Sequence, residues 1–332
     1  MLRTYRTPGW RPLGLCAGLL AALACPAPAC DLHMLRTGSA HEDDTPGLRL
    51  GLVEQWTHYA TLQDGDHDIP DPDDQRLDSA ITQLVARYRF TDRIAAELRL
   101  PYIHRDYRRP RPHGGIERGD VSGFGDLALL ADVVAFRHET DASSFQVAVF
   151  GGLELPSGDP DRLREESEGH HAHDDTPGHT RNGIHGHDLA LGSGSVDGIV
   201  GMDLFWAHER LVFLGSLAYG IRGEGSFDYR YANDLQWAAG PGVQVWRAPQ
   251  GQAGLMAVLS GETKGQDELD GERLDDTAAT TLYVGPTLRV DWMQLEAEVA
   301  VDVPVITHRT AVQIAPDLRV RGALRWRFGD SS

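Results

Sequence analysis

Six of the chain's fifteen histidines fall within eighteen residues: His170, His171, His173, His179, His185 and His187. Glu165, Glu166, Glu168, Asp174 and Asp175 are interspersed with them. Neutral imidazoles beside carboxylates suit zinc, copper or nickel, and histidine-rich tracts are a compositional cue for metal binding. The His171-x-His173 and His185-x-His187 spacings could chelate locally without a preformed pocket. The competing reading is a solvated loop whose histidines are incidental. A related string, His41 to Gly47, echoes His173 to Gly178; metal or calcium contacts are the only account it suggests. No other cofactor is expected.

A second constellation is electrostatic. Arg87, Arg89, Glu97, Arg99, Asp132, Glu154, Glu296, Glu298, Asp302, Arg319, Arg321 and Arg325 occupy the polar positions of segments in which every second residue is apolar, and Asp126 sits at the head of one such segment. Arginines on the last segment face acids on the one before it, the pattern of cross-strand ion pairs. Such ladders either fill a narrow lumen rigidly or line a small pore and set its charge preference. Catalytic signatures are lacking: the sequence has no GxSxG, no HExxH and no glycine-rich phosphate loop. An enzyme is not expected, and a hydrolase with Ser, His or Asp at a membrane rim ranks as a third function class.

The elements that must position these residues read as strands. Period-two alternation, interrupted by polar, Gly and Pro clusters, gives twelve segments: 47–61, 76–91, 93–107, 123–137, 144–156, 188–207, 210–223, 231–247, 252–264, 278–292, 294–306 and 311–328. Short turns at 91–92, 138–143, 208–209, 247–251 and 292–293 alternate with longer connectors at 62–75, 108–122, 157–187, 224–230 and 265–277, the connector 307–310 being short. Aromatics recur near segment ends, as in Trp326-Arg327-Phe328, where membrane girdles place them. The expected fold is therefore all-β: an antiparallel transmembrane β-barrel of about twelve strands spanning 47–328, with both termini periplasmic and a long His-rich outer loop at 157–187. Pro241, Pro286 and Pro316 fall inside strands, where bulges or membrane-edge positions would accommodate them.

The N-terminus reads as an export signal. Arg3, Arg6 and Arg11 precede an apolar run from Leu13 to Ala24, and Ala27-Pro28-Ala29 fits a small-x-small cleavage site, which assigns 1–29 to a secretory signal and 30–46 to a periplasmic segment. Removal of the leader leaves 28 basic residues against 49 acidic ones, a formal charge of −21. That balance argues against nucleic-acid binding, which needs a basic footprint. Cys30 would be the sole cysteine left, so no intrachain disulfide forms; acylation of Cys25 or Cys30 is the weaker alternative. The negative mean hydropathy fits a barrel whose lumen and loops are polar.

Three short motifs carry a resemblance. Gly123-Phe124-Gly125-Asp126-Leu127, Leu155-Pro156-Ser157-Gly158-Asp159 and Leu191-Gly192-Ser193-Gly194-Ser195-Val196-Asp197 follow one another in that order. They resemble the GxGD, LPTGD and GTGSxD of the outer-membrane transporters grouped as the meta-pathway of phenol degradation family. The resemblance covers about residues 47–328 and implies an outer-membrane barrel for solute passage, in a Gram-negative bacterium, with membrane lipid, a small solute and the outer-membrane assembly machinery as partners. The solute could be an aromatic compound or a metal ion. From the residues themselves, the motif glycines are expected where strands leave the membrane, and Asp126, Asp159 and Asp197 are expected to hold the rim by accepting loop amides or pairing with arginines. The alternative to a conduit is a metal-binding surface protein for which the barrel is an anchor.

Overall fold

The computed structural model describes residues 46–111, 114–169 and 181–328. The expected leader, the three cysteines, the segment up to residue 45, and His170, His171, His173 and His179 lie outside those residues.

Twelve antiparallel strands close into a barrel: β1 (Gly47–Asp64), β2 (Arg76–Arg89), β3 (Ile94–Pro110), β4 (Leu127–Glu139), β5 (Ser143–Leu155), β6 (Asp197–His208), β7 (Leu211–Ile221), β8 (Asp234–Ala248), β9 (Gly251–Lys264), β10 (Ala279–Trp292), β11 (Leu295–Arg309) and β12 (Val312–Phe328). Each pairs with its neighbours in sequence, and β12 closes on β1 from Leu48↔Phe328 to Asp64↔Val312. Closure leaves no free edge in the ring, so the strands satisfy their ladder groups on one another rather than on water. Both described ends of the barrel, Gly47 and Phe328, sit at the short-turn end, and the long connectors gather at the other. The outer half of β3 pairs with an extra strand, Ile116–Phe124, that runs into β4 across a break at Gly125-Asp126.

The strict alternation fixes which side chains face out. Leu48, Leu50 and Leu52 of β1, Val299, Val301 and Val303 of β11, and Leu324, Trp326 and Phe328 of β12 are all exposed on the outer surface. This belt ends in aromatics at the short-turn end, where Trp246 stacks on Trp292 at 5.6 Å between centroids. Tyr102 and Phe124, edge to face at 5.5 Å, mark its other edge. Beyond that edge the outward positions turn polar, as with His58 and Asp78 at 2.8 Å. The inward positions turn apolar at the same height: Tyr59, Leu77, Ile81, Ile103 and Tyr107 are buried there. The pattern inverts because the strands leave hydrocarbon and begin to enclose a core.

That core is supplied by the longest connector. Residues 156–169 and 181–196, between β5 and β6, fold inward over the barrel mouth; Ile184, Leu189 and Leu191 are buried against the wall, and Leu163 and Ala190 against Tyr229, Tyr231 and Leu269. Residues 188–196, expected as the start of the sixth strand, belong to this connector; the strand begins at Asp197. The reason is that Gly192, Ser193 and Ser195 bond loop and rim partners instead of a ladder, and Gly194 has φ +72°. A small sheet of Tyr229–Arg230, Glu268–Leu269 and Glu272–Arg273 adds to the same end.

Of the three strand prolines, Pro316 lies at a bulge, where the register shifts and the Asp317 carboxylate accepts the Ala60 N–H at 2.7 Å in place of a ladder carbonyl. Pro241 and Pro286 do not occupy bulges. Each keeps its pairing on one side, with Phe213 and Ala257 respectively, and interrupts the ladder on the other, to β9 and β11, where the register is the same before and after the gap.

Candidate functional site

The inner wall has two faces. On the side of β1 to β3 and β10 to β12 it is charged. Arg87 of β2 lies 2.9 Å from both Glu97 and Asp132, and Arg99 lies 2.6 Å from the other oxygen of Glu97. Across the seam, Arg319 and Arg321 of β12 converge on Asp302 of β11 at 3.1 and 2.7 Å, and Arg319 also pairs with Glu262. Near the short turns Glu296 holds Arg325 at 2.6 Å and Arg289 at 3.2 Å. The pairs of Arg319 and Arg321 with Asp302 and of Arg325 with Glu296 are the cross-strand pairs expected between the last two strands. Arg87, Arg89, Glu97, Arg99, Asp126, Asp132, Glu154, Glu298, Asp302, Arg319 and Arg321 are buried, and Glu296 and Arg325 are less so. All thirteen point into the barrel.

Over its middle height the opposite wall is more apolar, which charge patterning did not suggest. Leu130, Phe150, Ile199, Phe205, Ala238, Met256 and Val258 are buried on the inner face of β4 to β9. Asp203, bonded by Ser216 at 2.7 Å, lies among them, and toward the long-loop end the same strands carry the buried Glu154, Asp197, Asp234 and Glu262. At the short-turn end the bore widens into a cavity of about 390 Å3 lined by Arg49, Gln252, Arg289, Asp291, Glu296, Arg325 and Arg327, with Trp326 and the Met293–Leu295 turn.

At the long-loop end the bore is filled by the described parts of the connector, 156–169 and 181–196. The three sequence motifs meet there. The Asp126 carboxylate accepts the Gly158 N–H at 2.8 Å through one oxygen, and the Ser193 N–H at 2.8 Å and hydroxyl at 2.9 Å through the other. Ser157 ties the break in the strand, donating to the Gly125 carbonyl at 3.0 Å and accepting the Leu127 N–H at 2.9 Å. Asp159 accepts the Asp161 N–H at 2.9 Å. Gly158 and Gly192 run so close that a Cβ on Gly192 would lie 2.7 Å from the Gly158 Cα and 2.8 Å from Asp126. Asp197 accepts the Ser195 hydroxyl at 2.5 Å and the Gly223 N–H at 2.9 Å. Beside it Arg222 gathers Glu154, Asp197 and Asp234 at 2.8, 2.9 and 2.6 Å, all four side chains buried. A guanidinium has five donors in a fixed fork, so one arginine can satisfy several carboxylates. Arg222 and Asp234 were not singled out from the sequence; the inward register of Arg222 at the end of β7 is the one signal that points to it.

Of the histidine cluster, only His185 and His187 fall within the described residues, and they are not on a solvated loop. His187 is buried, its Nδ1 2.9 Å from Glu166 and its Nε2 3.5 Å from Asp188, with its ring stacked on His185 and Tyr229. Burial alone would push its pKa down; the carboxylates of Asp188 and Glu166 reverse this and hold it at about 10. Burial likewise opposes the charged form of Glu166, and the imidazolium of His187 overrides that to place it at about 2. The pair is an ion pair that clips the two halves of the connector together. His185, His187 and Asp188 also bring their ligand atoms within 4.8 Å of one another, and the His185 Nδ1 has no hydrogen-bond partner among the described residues.

Further contacts dock the connector on the wall. Arg105 donates to the Ala190 carbonyl at 2.6 Å, Arg109 to Glu165 at 2.7 Å, and Gln75 accepts the Gly183 N–H at 2.9 Å. The Ile314 N–H reaches the Gly183 carbonyl at 2.9 Å.

In fold, the barrel is similar to the COG4313 outer membrane channel from Pseudomonas putida F1, with a TM-score of 0.56 and 16% sequence identity over 88% of this chain and 98% of that one. Weaker likenesses include the β domain of the Bordetella autotransporter BrkA, with a TM-score of 0.46 and 9% identity over 86% of this chain and 100% of that one. The transport unit of the autotransporter AIDA-I from Escherichia coli gives a TM-score of 0.45 and 10% identity over 90% of this chain and 94% of that one. No family model matches the sequence, and no curated protein matches it significantly. The chain has the fold of an outer-membrane β-barrel.

Proposed function

We propose that this chain is exported, is inserted in the outer membrane of a Gram-negative bacterium with both termini periplasmic, and acts as a conduit for a small solute. The observation that carries this reading is the way the bore is closed. A ring of twelve strands is intermediate between barrels filled by their own side chains and wide porins. Here the mouth is occupied by residues 156–169 and 181–196 of the connector, held by hydrogen bonds and ion pairs to the wall, while the far end holds a cavity of about 390 Å3. A stopper made of loop can leave; a wall cannot.

The two-faced lumen supports a solute with one polar and one apolar side, and aromatic compounds fit that description. The convergence of the three motifs on one clasp supports kinship with the transporters they resemble. The outward Trp326 and Phe328 at the last strand's end support recognition by the outer-membrane assembly machinery. Swelling of proteoliposomes containing the purified protein, in small neutral and aromatic solutes of graded size, tests the reading. Swelling that falls off with solute size supports it, and rates equal to protein-free vesicles overturn it.

A second reading, in which the barrel anchors a metal site, is favoured by one observation: His185, His187 and Asp188 present three ligand atoms within 4.8 Å. Zinc, copper or nickel would have to displace the His187 proton, so binding would strengthen as pH rises. Calorimetric titration of the wild type and His185→Ala with zinc decides it: a 1:1 isotherm lost in the variant supports the site. A rim hydrolase finds little support. Ser143 and His208 are 2.7 Å apart at an exposed turn, but His208 meets no carboxylate among the described residues, so nothing orients it as a base.

A further inference from the structure

Two buried arginines at the mouth lack the close carboxylates that Arg87, Arg222, Arg319 and Arg321 find. Arg105 of β3 donates to the Ala190 carbonyl at 2.6 Å and to the Ser79 hydroxyl at 3.4 Å, and Arg309 of β11 donates to the Thr281 hydroxyl at 3.3 Å. Neither meets an acidic side chain among the described residues, and the Nε of Arg309 is buried without a partner. Both are more than nine-tenths buried, Arg105 at 4% and Arg309 at 3% exposure. They line one chamber of about 50 Å3 beneath the docked connector, together with His187, Asp188, Lys264 and the tyrosines Tyr59, Tyr231 and Tyr283.

The charges of this chamber do not balance. Lys264 is matched by Asp267 at 2.6 Å, and His187 by Glu166 at 2.9 Å. Glu262, which also acts on Arg309, is taken by Arg319, so among the described residues the guanidiniums of Arg105 and Arg309 are left against the carboxylate of Asp188. One oxygen of Asp188 already accepts the His185 N–H at 2.8 Å, and the other lies 3.5 Å from His187. A buried amine can shed its charge, but a guanidinium cannot be deprotonated in a protein. An uncompensated buried cation is costly unless a counter-charge joins it.

We propose that Arg105 and Arg309 form a binding site for one small monoanion, a carboxylate of the size of formate or acetate or an inorganic ion of equal charge. The volume admits a few heavy atoms, the surplus is one positive charge, and guanidinium forks match the carboxylate plane. The site does not depend on the conduit reading. Its role does: on a permeation path it would be a station that selects small anions within a protein that is acidic as a whole.

The test uses the purified full-length protein in detergent, comparing sodium acetate with sodium gluconate, an anion too large for the chamber, at equal ionic strength. Ligand that binds the native state raises the melting temperature with saturation. The wild type is expected to melt a few degrees higher in acetate (roughly what ~100 Kd of ligand gives a domain of this size), and Arg309→Gln is expected to melt at one temperature in both salts. Equal melting of the wild type in both salts, or an acetate shift that Arg309→Gln keeps, overturns the site. If Arg309→Gln does not fold, Arg105→Gln and the broadening of the chloride-35 resonance by the wild type decide the same question. Reversal potentials in a tenfold potassium acetate gradient then separate site from path. An acetate shift in melting without any current retains the site and removes the conduit, whereas current without the shift does the reverse.

Discussion

Asp126 and Ser193, 67 residues apart in sequence, are joined twice: the Asp126 Oδ2 accepts both the backbone N–H of Ser193 at 2.8 Å and its hydroxyl at 2.9 Å. With Gly158 on the other oxygen at 2.8 Å, one carboxylate fastens both ends of the inward connector to the break between the two halves of the strand that pairs with β3.

Removing that carboxylate should release the connector and spare the barrel. Hydrogen bonds to a charged group are worth about 1.5–3 kcal/mol each, so Asp126→Ala is expected to raise amide exchange by an order of magnitude or more at Gly158 and over 190–195, with strand amides unchanged. Gly192→Ala should act similarly through steric contact, because its Cβ would meet the Gly158 Cα at 2.7 Å. Hydrogen exchange read by mass spectrometry on both variants checks this. Faster exchange throughout the barrel would mean that the clasp holds the wall rather than the stopper.

Arg222 is the centre of a buried cluster of three acids, and losing it strands their charge. Breaking a buried ion pair from one side costs about 3–5 kcal/mol, so Arg222→Met should lower the midpoint of urea unfolding markedly. Adding Asp234→Asn should recover part of that loss, since one fewer charge is then left unpaired. A double variant no more stable than Arg222→Met would show that the carboxylates do not act through one another.

The clip between His187 and Glu166 makes docking of the connector depend on pH. His187 is raised from 6.5 to about 10, so its contribution is complete below pH 6.5, declines above it and is gone once pH passes about 10. Glu166 is lowered from 4.5 to about 2, so its contribution is complete above pH 4.5 and is lost as pH falls through about 2. Docking should therefore be tightest between about pH 4.5 and 6.5 and loosen toward both extremes. Exchange of the 181–191 amides, corrected for intrinsic rate and followed from pH 4 to 10, checks the window. His187→Gln should abolish the alkaline limb.

The barrel was legible because its causes are local. Lipid on one side and a polar lumen on the other impose alternation, and alternation fixed both the twelve segments and the inward direction of Arg87, Glu97, Asp302 and Arg319. The sixth strand was misjudged at its start for the same reason. Residues 188–196 alternate as a strand does, but their glycines and serines serve contacts with Gly158 and Asp126, far away in sequence. The two-faced lumen was obscured because alternation marks a position as inward without saying whether Leu130 or Arg87 will face it across the bore. The burial of His187 was hidden because histidines among acids read as solvent-loving, and only the fold supplies Tyr229 to cover one. Arg105 and Arg309 were not singled out from the sequence; their distance from any free carboxylate among the described residues is a property of the assembled mouth.

The central claim is that a removable segment of chain, not the barrel wall, closes the bore. Single-channel recording in planar bilayers tests it most directly, with the wild type beside Asp126→Ala. Brief, infrequent current steps from the wild type and longer or more frequent steps of the same unit conductance from the variant are predicted. Silence from both proteins, each shown to be folded and inserted, would contradict it.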